Sequence, residues 1–179
     1  MGFFLPRVLL LSSVARKQQH TRASTRVWDF STSHRVSQVP WPIDQSPPDS
    51  SAHFDVNGPV VCLFPGGKRV EQRVNLVTFS RDKDELRSVT FALEKQNVDN
   101  AHATAVKLAR YWDVDTAPLE QWYAEARDAL SNHPNGKALW AETRRNRGTP
   151  HVSIEIFTAN DSERPYWISL QISRFRGNL

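Results

Sequence analysis

The chain has 179 residues, a formal net charge of +4 and a hydrophobic content of 39%. That length suits one domain with a tail, and the low apolar share reflects a polar first third. The charge is uneven: residues 1–43 carry six bases and one acid, while residues 44–179 hold 17 bases and 18 acids. The high isoelectric point therefore belongs to the N-terminal stretch, and it carries little weight as an argument for nucleic-acid binding. One cysteine, Cys62, excludes an intrachain disulfide and leaves the redox compartment open. No run of 18 apolar residues exists, so no ordinary transmembrane helix is expected.

Residues 1–36 read as a targeting segment or a leader without fixed structure. Val8-Leu9-Leu10-Leu11 followed by Ser13-Val14-Ala15 fits a secretory signal with a small-residue cleavage site. The Arg- and Ser-rich, acid-poor composition fits a mitochondrial presequence equally well. A true signal of either kind would make the protein exported (periplasmic or secreted) or mitochondrial. Residues 37–53, with Pro40, Pro42, Pro47 and Pro48, read as an extended linker that also carries Trp41. The globular domain is then expected over residues 54–176.

Within it, Val60–Phe64 has the length of a strand, and Pro65-Gly66-Gly67-Lys68 marks a turn. Val70–Ser80 forms a second strand. Its alternation breaks between Leu76 and Val77, which fits either a bulge or burial on both faces. Arg81–Glu85 is a charged turn, and Arg87–Leu93 is a third strand with Val89, Phe91 and Leu93 on one side. A first helix, capped by Asp99 or Asn100, presents Ala101, Ala105, Val106, Leu108, Ala109 and Trp112. A second opens near Thr116 and Pro118 and presents Leu119, Trp122, Tyr123, Ala126, Ala129 and Leu130 at helical spacing. Pro134-Asn135-Gly136 ends it. Residues 137–147, holding Leu139 and Trp140, read as a short third helix.

The stretch His151–Ser173 organises the rest. Val152, Ile154 and Ile156 alternate with polar residues, and Ile168, Leu170 and Ile172 do so after a polar turn. This is a β-hairpin with one buried and one wet face. The expectation is an α+β domain: one mostly antiparallel sheet of about five strands, in the order β-β-β-α-α-β-β, with its helices on one face.

Motifs for chemistry are sparse. Phe64–Lys68 lacks the spacing of a phosphate loop and precedes a strand, not a helix. Cys62, inside an apolar run, reads as a buried structural thiol. His102, His133 and His151 show no metal-ligand spacing, so neither metal nor cofactor is expected. Asp113 and Asp115 lie between the helices, where Asp115 suits a cap. Asn160-Asp161-Ser162 is a glycosylation sequon at the hairpin tip, relevant only on a eukaryotic secretory route.

If Ile168, Leu170 and Ile172 point into the core, Trp167 points outward with Ser169 and Gln171, beside Ser153, Glu155 and Phe157. A large aromatic on a polar sheet face suits an interface anchor. The leading reading is a non-enzymatic protein-binding module, an inhibitor, immunity-type protein or assembly subunit, acting through Glu155, Phe157, Trp167 and Gln171. The alternative is an RNA-associated subunit using Arg144, Arg145 and Arg147, with Arg174 and Arg176 nearby. A third class is an enzyme whose histidine–carboxylate site assembles only in three dimensions.

Overall fold

A computed structural model describes residues 25–32, 51–132, 141–145, 150–158 and 166–173. The order of elements is β1 (Arg26–Asp29), β2 (Ser51–Leu63), β3 (Arg69–Asp82), β4 (Glu85–Leu93), α1 (Val98–Tyr111), α2 (Ala117–Asn132), β5 (Ala141–Arg145), β6 (His151–Thr158) and β7 (Tyr166–Ser173). The strands form a single mixed sheet in the spatial order β1-β2-β3-β4-β7-β6-β5. Among the described residues only the β1–β2 pair is parallel. The α+β class and the mostly antiparallel sheet agree with the sequence reading. The strand count does not: the described residues hold seven, because two strands lie where none was expected.

The first is β1. It falls inside the stretch read as a leader, yet it pairs with the end of β2, Trp28 opposite Cys62. Trp28 and Phe30 are both buried. The second is β5, over residues read as helical. Its five residues pair with β6, Glu142 opposite Glu155 and Arg144 opposite Ser153. β2 also starts earlier than expected, at Ser51, so the last three residues of the expected linker belong to the sheet. Residues 1–24, Trp41, His133, the 134–136 turn, Leu139, Trp140, the sequon, Arg147, Arg174 and Arg176 lie outside the described residues.

The break at Leu76 is a bulge. Register with β4 shifts between Val74 and Leu76, and register between β2 and β3 shifts between Asp55 and Gly58. Asn57 takes a positive φ of 48° there, a conformation that asparagine tolerates better than most residues. Extra residues on facing strands sharpen the local bend. That bend has a visible result. Trp28 sits beside the far end of β2, yet its ring packs edge-on against Phe79, which pairs near the start of β2. Phe30 and Phe54 also reach Phe79, and Phe64 links Phe30 to Trp112 at the end of α1. The β2–β3 ribbon curls around this aromatic cluster.

The other half of the sheet is covered by helices. α1 packs on β6 and β7, and α2 packs on β5. Ile154, Ile156, Ile168, Leu170 and Ile172 are fully buried beneath them. Trp122 of α2 meets Tyr166 of β7 edge-on at 5.2 Å. Asn97, not Asp99 or Asn100, caps α1: its side chain accepts from the Asn100 amide at 2.9 Å. Asp115 accepts from the Ala117 amide at the start of α2, the role its position suggested. The buried Thr143 hydroxyl donates to the Asp115 carbonyl at 2.6 Å and ties β5 to the loop between the helices.

The Pro65–Gly67 turn is a tight reversal between β2 and β3. Gly66 and Gly67 both adopt positive φ, which a side chain would strain. The turn aims Lys68 at α1, where its ammonium donates to the Tyr111 carbonyl at 2.8 Å. A cation at a helix C-terminus satisfies a free carbonyl and the helix dipole together. Cys62 is fully buried, and burial pushes its thiol well above the ordinary range. A neutral, enclosed thiol is a poor nucleophile. Native protein should therefore leave an aromatic disulfide reagent unconsumed over an hour, and one thiol equivalent should react at once in denaturant. Rapid reaction in the native state would contradict this packing.

Candidate functional site

The sheet face turned away from the helices is a grid of side chains fixed by strand register. One row across it is Glu142, Glu155, Ser169, Ala92 and Leu76, on β5, β6, β7, β4 and β3. The next is Arg144, Ser153, Gln171, Thr90, Thr78 and His53. A third holds His151, Ser173, Ser88, Ser80 and Ser51. Short hydroxyl residues dominate, and some pair across strands: Ser51 with Ser80 at 2.9 Å, and His53 with Thr78 at 2.8 Å.

Against this polar field stands one aromatic pair. Phe157 and Trp167 are directly opposite each other on β6 and β7. Their ring centroids are 5.6 Å apart with a 34° tilt. Both are half-buried. The Lys95 ammonium lies 5.7 Å from the Trp167 ring centre, within cation–π range. The Trp167 indole N–H is covered and has no acceptor among the described residues. Trp167, Phe157, Glu155 and Gln171 thus share one face, with Gln171 the most open of them.

Glu155 is the unusual charge here. It is half-buried and directly opposite Glu142. Burial is the larger cause raising its pKa above the ordinary glutamate value, and the Glu142 charge adds to it. Glu142 accepts from the Ser153 hydroxyl at 3.2 Å, and Arg144 approaches it at 3.8 Å. Glu155 has no ion pair or hydrogen bond among the described residues. Like charges directly opposite on neighbouring strands are destabilising. Glu155→Gln should therefore raise stability by about 0.2–1 kcal/mol at neutral pH. The sign with pH is set by the direction of the shift. A carboxyl with a raised folded-state pKa binds its proton more tightly folded than unfolded, so its penalty is absent below the unfolded value. The penalty grows as pH rises between the two values and is complete above the folded one. Urea midpoints of wild type and variant should converge on acidification through that window; parallel curves would refute the assignment.

The basic cluster is divided. Arg144 lies on the outer face, whereas Arg145 turns to the helix side, where it reaches the Pro150 carbonyl at 3.3 Å and Asp113 at 4.0 Å. Strand alternation sends neighbours to opposite faces, so these two arginines do not form one phosphate-contacting patch.

Compared with known protein families, curated proteins and solved structures, the chain matches none.

Two further features bear on the site. His102 does meet a carboxylate, its Nε2 lying 2.8 Å from Glu120 Oε2. The ring stacks on Tyr123 at 4.0 Å, and the Tyr123 hydroxyl donates to Asp99 at 2.7 Å. The group clamps α1 to α2 on the helix layer. His151 is half-buried on the outer sheet face. Among the described residues no three metal-ligating side chains converge, and no helix is long and apolar enough to cross a membrane. The second feature is a shallow polar cleft of about 640 Å³ between β3, the end of β4 and the first turns of α1. Gln72, Asn97 and Asn100 line it, with Arg73 paired to Glu94 at 3.0 Å and Thr104 bonded to Gln96 at 2.9 Å. Its groups largely satisfy one another.

Proposed function

We propose that this chain is a non-enzymatic protein-binding module, an inhibitor, immunity-type protein or accessory assembly subunit, whose contact surface is the outer face of the sheet. The observation that carries the reading is the Phe157–Trp167 pair, a half-buried aromatic couple placed at the end of an otherwise hydroxyl-rich face. Aromatic anchors ringed by polar groups are the usual energetic centre of protein interfaces. The opposite faces of β6 and β7 are buried, with α1 packed on both strands. A rigid sheet presenting a fixed aromatic pair binds without a large ordering cost.

An RNA-associated role would draw on Arg144, Arg145 and Arg147, and the division of the first two across the strand counts against a shared phosphate contact. The discriminating experiment is quantitative recovery of partners from the native source with wild type, Trp167→Ala and Arg144→Ala. Loss of one defined protein with Trp167→Ala alone supports the protein-binding reading. Equal recovery by wild type and Trp167→Ala refutes it.

A further inference from the structure

We infer that the partner inserts an arginine side chain over this face, its guanidinium shared between Glu155 with Glu142 and the rings of Phe157 and Trp167. This rests on the protein-binding reading above and names the chemistry of the partner. The argument is charge complementarity at a fixed spacing. Glu142 and Glu155 face each other across two strands, and Glu155 has no cation of its own among the described residues. Phe157 follows Glu155 on the same side of β6, about 7 Å along the strand. Trp167 is the diagonal neighbour of Glu155 on β7, also about 7–8 Å away. One extended side chain with a planar cation covers that distance.

Arginine fits better than lysine. Its fork donates two parallel hydrogen bonds to a carboxylate, and its flat face stacks on aromatic rings. It is also less strongly hydrated than an ammonium, which matters at a half-buried carboxylate. The unbound face holds two like charges together; a guanidinium between them relieves that repulsion and turns an unfavourable feature of the free domain into binding energy. Arg144 does not fill the role, because it is 61% exposed and reaches only Glu142, at 3.8 Å. The Lys95 ammonium lies over the Trp167 ring, 5.7 Å from its centre, and marks that ring as able to take a cation.

The test uses the full chain and a dye-labelled octapeptide with two adjacent arginines, read by anisotropy at low and moderate salt. A second peptide carries citrulline at both positions, which keeps the shape and removes the charge. The arginine peptide should bind saturably and the citrulline peptide at least ten-fold more weakly. Glu142→Gln with Glu155→Gln should weaken the arginine peptide at least ten-fold. A charge-matched control on other surfaces, Glu71→Gln with Glu125→Gln, should not. These substitutions relieve repulsion or lie on exposed positions, so unfolding will not confuse the result, and a thermal melt verifies this. Absence of saturable binding, equal affinity for the two peptides, or equal losses in both double variants overturns the inference. Failure of the two ideas is separable. If the natural partner is lost with Trp167→Ala but fully recovered with Glu142→Gln and Glu155→Gln, the arginine assignment falls and the protein-binding reading stands. If neither variant loses it, both fall.

Discussion

Deleting residues 1–31 should abolish the cooperative thermal transition of this domain. The deletion removes β1, and with it Trp28 and Phe30, both buried in the cluster around Phe79. Emptying a buried Phe or Trp site costs about 3–5 kcal/mol. The two share Phe79 as a neighbour, so their losses will not simply add. Even so, the combined loss approaches the whole stability of a typical domain, about 5–15 kcal/mol. It also uncovers the far end of β2, where Val60 and Cys62 are fully buried. The point variant Trp28→Ala with Phe30→Ala separates loss of packing from loss of the strand: it should destabilise nearly as much as the deletion. A truncated protein that melts at the wild-type temperature would show that β1 is dispensable. The result also bears on processing, because cleavage near residue 36 would remove β1, while cleavage after Ala15 would leave it in place.

Trp112→Ala should cost about 3–5 kcal/mol, whereas Trp112→Phe should cost far less. The side chain is fully buried at the end of α1, edge-on to Phe64 at 5.9 Å, with the Lys68 ammonium 5.6 Å from its ring. It joins the helix layer to the aromatic cluster inside the curled ribbon, so truncation leaves a cavity where two layers meet. Its indole N–H has no partner among the described residues. Replacing indole by phenyl therefore gives up volume and no hydrogen bond. Urea unfolding of the three proteins decides it: a Phe variant as unstable as the Ala variant would mean that the indole nitrogen is bonded after all.

Much of the scaffold is visible in the residue order, because period-2 and period-3.6 patterns report which side is buried. Val152, Ile154 and Ile156 against Ile168, Leu170 and Ile172 defined the hairpin and its inner face, and all six are buried. Ala101, Ala105, Val106, Leu108 and Ala109 did the same for α1. What escaped was set by distant partners. Ala141–Arg145 is rich in helix formers, and only pairing with β6 makes it a strand. The Glu142–Glu155 opposition depends on that pairing and is therefore not visible in the residue order. β1 is four residues in a basic, polar region, although Trp28 and Phe30 at alternate positions were a usable sign. Asn57-Gly58-Pro59 looks like a chain break and is instead a bulge inside a long strand. The side of the sheet that Trp167 occupies followed from alternation alone, whereas the meeting of His102 with Glu120 across two helices did not.

The place of β7 in the sheet has a kinetic consequence. β2–β3–β4 and β5–β6–β7 are each assembled from sequence neighbours, yet the sheet is whole only when β4 finds β7, Val89 against Ile172 and Phe91 against Leu170. Everything from α1 to β6 intervenes, so that junction carries the largest loop-closure cost and sets the contact order. Two locally formed half-sheets will wait on one late zippering event, each with an apolar strand edge open in the meantime. Refolding yield should fall as protein concentration rises, because the same edges can join between chains before they join within one.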